Sequence, residues 1–290
     1  MEVINVNSQK NTNFSISLAL GFIIFLSIVI LQSTDPIIPV FGFHGIIDPE
    51  APGFQSDQVY LHYPKQDLEK FLEYLVSHDF WFLTAQDSYD FFLTKSKEIP
   101  VEHLSQNPIM ISFDDGYKSV YTKLMPILYK LEKKYDKKVK VVLFINPGTL
   151  ANRESITSTH IGCRELREGL KKGFYDIQSH GLNHKNLTKI APQQIANELL
   201  QAQTKLRNCT KELDPEQKVA SHFAYPYGAY NQQVKDYTSK YYLSAYLYDN
   251  QRLSHSFLKN YYEIPRLIIS RKKSAQQLIE MVDRVHSMKR

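Results

Sequence analysis

The chain has 290 residues, enough for one large domain or two small ones, with the charged and apolar fractions of an ordinary folded protein. Its net charge of +5 is spread out, and the densest basic run, Lys133–Lys140, reads as a solvated helix end and loop, which argues against nucleic-acid binding. Residues Met1–Asn13 are polar and read as a cytoplasmic tail. Phe14–Leu31 follows as a nearly unbroken apolar run, and no charge falls between Lys10 and Asp35. About 18–20 such residues can span a bilayer as a helix. A core helix would carry a polar face, and a cleaved signal would be followed by a small-x-small site, which Leu31-Gln32-Ser33-Thr34 matches poorly. The expectation is a transmembrane signal anchor over 14–34, with a cleaved, secreted form as the alternative; Lys10 favours a cytoplasmic amino end and an extracytoplasmic domain over 35–290.

Asp35–Pro39 is a short linker, and Val40–Phe43 reads as a strand ending in His44. Glu50–Tyr63 reads as irregular loop. Lys65–His78 has Leu68, Phe71, Leu72 and Leu75 at helical spacing. Trp81–Thr84 is a strand candidate, Ala85–Leu93 an amphipathic helix, and Thr94–Asn107 a polar loop. The apolar run from Ile109 ends in two adjacent carboxylates, Asp114 and Asp115, and Gly116 then lets the backbone turn. Helical periodicity returns over Val120–Tyr135, and Val139–Ile145 is a buried strand stopped by Asn146-Pro147-Gly148. Further helices are read at Arg164–Lys172, Pro192–Leu206, Asn231–Ser239 and Ser274–Arg284. Further strands are read at Phe174–Gln178, Ser221–Tyr225, Leu243–Tyr248 and Leu267–Ser270. This alternation argues for an α/β fold with a parallel sheet, open or closed as a barrel, and shows no second domain boundary. The two cysteines, Cys163 and Cys209, could form one bridge outside the cytoplasm or stay reduced and buried.

Parallel α/β folds bind ligands at the carboxyl ends of their strands. His44, Asp114 with Asp115, His180, Tyr227 and Asp249 all follow predicted strands. Adjacent carboxylates repel, and a metal ion or a shared proton relieves that repulsion. An Asp-Asp-Gly tripeptide by itself is ordinary turn chemistry; His180 and His184 change its meaning. Their i and i+4 spacing would put two imidazoles on one face of a helical turn. With Asp115 they would form a site of two histidines and one carboxylate, leaving a position open for water. Nineteen tyrosines are available to line a sugar-binding cleft, although most are expected simply to pack at half-buried positions.

Ser112-Phe113-Asp114-Asp115-Gly116 resembles the first motif of the polysaccharide deacetylases (the NodB-homology carbohydrate esterases). Ser179-His180-Gly181-Leu182-Asn183-His184 resembles their second motif and Phe223-Ala224-Tyr225-Pro226-Tyr227-Gly228 their third, in the same order. The resemblance implies a distorted (β/α) barrel. It implies a divalent metal, most often zinc, on Asp115, His180 and His184, with Asp114 as general base and the Tyr227 backbone N–H as oxyanion donor. The usual late motif that supplies an acid His is absent: Arg266-Leu267-Ile268-Ile269-Ser270 stands there. Ala224 stands where the third motif usually has Arg. Both departures resemble the subgroup acting on exported poly-N-acetylglucosamine, in which the acid His follows an amino-terminal strand, as His44 does in Phe41-Gly42-Phe43-His44. Arg266 is the candidate to orient Asp114 in place of the missing Arg; Asp249 lies near the fourth motif without its Trp, and a surface role suits it as well. The implied activity is removal of N-acetyl groups from an acetylated polysaccharide. An O-deacetylase, a small-molecule amidase and an inactive carbohydrate-binding protein are the competing readings on the same barrel.

Overall fold

The apolar run that ends in Asp114 is the longest described strand of a parallel sheet. The computed structural model describes residues 38–50, 60–151, 158–250 and 260–287. The segments 1–13 and 14–34, read above as tail and membrane anchor, lie outside the described residues, as does most of the loop expected at Glu50–Tyr63. Among the described residues no helix is long and apolar enough to cross a membrane.

The elements follow in order: β1 (Val40–Phe43), β2 (Ile46–Ile47), β3 (Tyr63–Pro64), α1 (Lys65–Ser77), β4 (Phe80–Phe82), α2 (Ala85–Asp87) and β5 (Asn107–Asp114). Then come α3 (Met125–Tyr135), β6 (Val141–Ile145), α4 (Cys163–Lys171), β7 (Tyr175–Ser179), α5 (Pro192–Thr210) and β8 (His222–Ala224). The last are α6 (Gln232–Thr238), β9 (Ser244–Tyr246), β10 (Leu267–Ile268) and α7 (Ala275–Ser287). The main sheet runs β10-β1-β5-β6-β7-β8-β9, all parallel, with β4 added on β5. The stretch leading into β10 also bonds to β9: Ala245 N donates to Tyr261 O (2.8 Å) and Leu247 N to Ile264 O (2.7 Å). One piece of chain therefore connects the two ends of the strand order, and the sheet curls as in a distorted barrel.

Strand alternation sorts the side chains. Phe41, Phe43, Ile109, Ile111, Phe113, Val141, Leu143 and Ile145 face outward and pack under the helices, where Phe71, Leu72, Leu128 and Leu278 meet them. Val40, Met110, Val142, Phe144, Ala224 and Tyr246 belong to a separate inner cluster. Ser112 and Asp114 continue the Met110 face, so the period of two carries Asp114 inward. Strands buried on both faces explain why β6 reads Val-Val-Leu-Phe-Ile without alternation.

Some local expectations change. The predicted helix Ala85–Leu93 is α-helical only over Ala85–Asp87, where Thr84 and Asp87 form a reciprocal cap, and continues as a π-type coil over Ser88–Leu93. That wider coil buries Ser88, Asp90, Phe92 and Leu93 together. The loop expected at Thr94–Asn107 contains a short turn of helix at Val101–His103, and Asn107 already belongs to β5. The small β2–β3 pair carries no periodic signal, being two residues on each side.

Cys163, at the start of α4, is disulfide-bonded to Cys209 near the end of α5, closing a separation of 46 residues with Cα atoms 5.6 Å apart. Cys163→Ser is expected to cost about 2–4 kcal/mol, because the unfolded chain regains the freedom of that loop. Urea unfolding with and without reductant checks this; coincident midpoints would contradict it.

Candidate active site

Asp114 ends β5 on the inner face and is buried. The fully buried Arg266 grips it with both arms: Nη1 donates to Oδ1 (2.7 Å) and Nη2 to Oδ2 (2.8 Å). The guanidinium is held in turn. Its Nε donates to Leu247 O (2.8 Å), Nη1 also reaches Ser112 Oγ (3.1 Å), and its plane lies between the rings of Phe144 (4.9 Å) and Tyr248 (5.2 Å). Burial alone would push the Asp114 carboxyl up, but the Arg266 charge, with lesser help from His180, holds it at about 2. Arg266, the candidate from the sequence to orient Asp114, is bonded to it in this geometry.

The next two residues, Asp115 (φ 71°) and Gly116 (φ 74°), are both left-handed, and the chain turns back sharply. That turn aims Asp115 at the loop after β7. His180 Nδ1 donates to Ala224 O (2.8 Å), which leaves Nε2 unprotonated and facing Asp115 Oδ1 (3.6 Å) and Asp114 Oδ2 (3.9 Å). His184 Nε2 lies 3.3 Å from Asp115 Oδ1. The two imidazoles do not share a helical turn as their spacing predicted. Gly181 (φ 77°) and His184 (φ 55°) are left-handed, and an irregular loop brings the rings within 4.9 Å of each other.

Neighbouring elements hold this loop at His180, Gly181, Leu182 and Asn183. The Asn146 side chain donates to the carbonyls of His180 and Gly181, and Gly148 N donates to Leu182 O (2.7 Å). The buried Glu198 carboxylate, on α5, accepts from Asn183 N (2.8 Å) and Nδ2 (2.9 Å). Gly148 must be glycine for this approach, since a Cβ there would lie 2.5 Å from Leu182 O.

Ligand atoms of Asp115, His180 and His184 lie within 4.8 Å of one another. Asp115 Oδ1 is buried without a hydrogen-bond partner, a costly state for a carboxylate oxygen unless a cation supplies its partner. Burial, aided by the neighbouring Asp114 charge against the pull of His44, raises Asp115 to about 6; burial also lowers His180 to about 3 and His184 below its ordinary value. A carboxyl pushed up beside two imidazoles pushed down is the mark of a cluster that burial drives toward its neutral forms. Two neutral nitrogens and one carboxylate fit a divalent cation.

His44, just past β1, points its Nε2 at Asp115 Oδ2 from 4.0 Å, while its Nδ1 meets the Tyr248 hydroxyl at 3.3 Å. Burial lowers its pKa, against the pull of Asp114 and Asp115. Tyr227 stands in a left-handed conformation (φ 62°) with its ring against His184 (4.5 Å). His44, Asp114, Asp115, His180, His184 and Tyr227 line one cleft of about 430 Å³. Asp249 does not line it. His62, Tyr60, Tyr117 and Tyr248 also do, and sequence reasoning gave none of them a role in the site. Tyr117 follows the Asp-Asp-Gly turn and Tyr248 ends the predicted strand Leu243–Tyr248, whereas Tyr60 and His62 come from the expected loop Glu50–Tyr63, without periodicity or motif.

A family profile described as "Polysaccharide deacetylase" matches residues 102–246. Among curated proteins, Bacillus subtilis YxkH is 24% identical over 197 residues, 68% of this chain and 59% of that protein. The poly-beta-1,6-N-acetyl-D-glucosamine N-deacetylase of Staphylococcus aureus is 26% identical over 211 residues, 71% of this chain and 67% of that protein. Among solved structures, a polysaccharide deacetylase from Bacillus cereus superposes with a TM-score of 0.69 at 20% identity, covering 85% of this chain and 69% of the other. At that identity the superposition speaks for the fold.

Arg266→Leu would leave Asp114 buried without its counter-charge, and a loss of about 3–5 kcal/mol is expected in denaturant unfolding; a loss under about 1 kcal/mol would mean the pair does not hold the sheet ends together. Proton competition for the cluster should run mainly through Asp115, because burial raises its carboxyl while it lowers both imidazoles. Divalent-cation affinity, read by competition with a coloured chelator, is therefore expected to fall about tenfold per pH unit below the Asp115 pKa of about 6. A profile that is flat across that value contradicts the assignment.

Proposed function

Because the chain belongs to the polysaccharide deacetylase family, we propose that this enzyme removes N-acetyl groups from an extracellular amino-sugar polymer of the poly-N-acetylglucosamine kind. The observation that carries the reading is one ionised, doubly bonded carboxylate, Asp114, set beside an Asp-His-His cluster at the floor of one cleft. Asp115, His180 and His184 would hold the cation, and zinc suits two nitrogens and one oxygen. When bound, it would polarise the acetamide carbonyl and acidify water at the site.

The chain's own residues divide the remaining work. Asp114 takes the proton of the attacking water. A carboxylate held at about 2 is a weak base, competent only toward a strongly acidified water, so it must lie against the cation ligands; His180 Nε2 is 3.9 Å away. Arg266 keeps that carboxylate charged and fixes its plane. The backbone N–H of Tyr227 is assigned to the tetrahedral oxyanion. His44, facing the cleft through Nε2, is assigned the proton that the departing amine needs.

A polymer substrate is favoured by the open rim. Tyr60 (48% exposed) and Tyr227 (66% exposed) present rings at the cleft mouth, as a surface for stacking sugar rings would. The reading places the domain of residues 35–290 outside the cytoplasm, tethered by the apolar segment 14–34. The Cys163–Cys209 disulfide supports an oxidising compartment.

Acetate release from β-linked N-acetylglucosamine oligomers, with mass-spectrometric readout of new free amines, tests the proposal. Activity should need a divalent cation, and Asp114→Asn should lower kcat by at least about 100-fold. Release of acetate only from O-acetylated xylan oligomers would move the enzyme to the esterase reading.

A further inference from the structure

Tyr248 belongs to none of the motifs, yet it touches three parts of the site. Its hydroxyl lies 3.1 Å from Gly42 O and 3.3 Å from His44 Nδ1. Its ring meets the His44 ring edge-on at 5.4 Å and forms one wall of the Arg266 slot. It is also wedged in place. A Cβ on Gly42 would come within 2.6 Å of its ring, and a Cβ on Gly228 (φ +64°), next to Tyr227, within 3.1 Å of its backbone nitrogen. Gly42, within β1, thus makes room for the ring, and Gly228, in the turn after β8, for the backbone that carries it.

We propose that Tyr248 is a positioning residue for His44: its hydroxyl donates to Gly42 O and accepts Nδ1–H from His44, which fixes the imidazole as the Nδ1–H tautomer with Nε2 turned into the cleft. The directions follow from the acceptors. Gly42 O is a carbonyl and can only accept; it takes Ile269 N–H (3.0 Å) and has a second lone pair for the phenol. The phenol proton being committed there, its oxygen is left to accept from His44. The opposite tautomer would set a bare Nδ1 against that oxygen and a proton on Nε2 before any was taken up. A hydroxyl that orients a histidine in this way contributes about 10- to 100-fold when removed.

The proposal rests on His44 acting at the cleft, so its test has a readout that needs no substrate. In the full chain, nitrogen NMR of the His44 ring should show Nδ1 protonated, and Tyr248→Phe, which keeps the ring but loses the hydroxyl, should shift the ring toward a mixture of tautomers. In the deacetylase assay the same variant should lower kcat by about 10- to 100-fold, with KM and cation affinity unchanged. In a His44→Ala background it should cost nothing further, since the two act as one unit. A wild-type ring protonated at Nε2, a Tyr248→Phe enzyme with full kcat, or a loss that multiplies with His44→Ala would each overturn the proposal. A protein inactive on every acetylated polymer but carrying the expected tautomer would sink the functional reading and leave the positioning intact.

Discussion

A buried ion pair between the end of β5 and the entry to β10 is the interaction on which the site depends. Asp114 and Arg266 are each shielded from water, and neither could stay charged there alone. The pair is workable because every arm of the guanidinium is used: two on the carboxylate, one on Leu247 O, one shared with Ser112, with a ring on either side. The same contact ties the first half of the sheet to the last. Arg266 lies in the stretch that bonds first to β9 and then, as β10, to β1, so the site is built where the curled sheet meets itself.

Around that pair, charge is arranged in two compartments less than 4 Å apart. On one side a full positive charge holds a carboxylate ionised. On the other, Asp115 and two imidazoles are all pushed toward their neutral forms, and a buried carboxylate oxygen lacks a partner. The contrast separates two adjacent aspartates by environment alone, one locked as an anion and one awaiting a cation. Rigidity supports the contrast. Asn146, Gly148 and Glu198 hold the loop carrying His180 and His184, so the ligand atoms are placed without a regular element beneath them.

Much of this was legible in the sequence. Apolar runs marked the strands, because strands covered on both faces need no polar residues. The carboxylates, His180 and His44 all stood at strand ends, where a parallel sheet opens to solvent. The i, i+4 spacing of the histidines was read as helical, and their convergence was right for another reason: left-handed Gly181 and His184 fold the loop back. Tyr248 and His62 were not legible, since their places depend on which loops meet across the barrel mouth. The choice between bridged and free cysteines also waited for the fold, because it depends on how α4 packs on α5.

The central claim is that Asp115, His180 and His184 share one cation beside an ionised Asp114. Metal content after equilibrium dialysis tests it most directly, comparing the wild-type chain with Asp115→Ala and with Asp114→Asn. One divalent ion per chain is predicted for the wild type and for Asp114→Asn, with loss from Asp115→Ala. A wild-type chain that retains no metal, or an Asp115→Ala chain that retains it fully, would contradict the account, leaving the carboxylate pair and the two histidines without a common purpose.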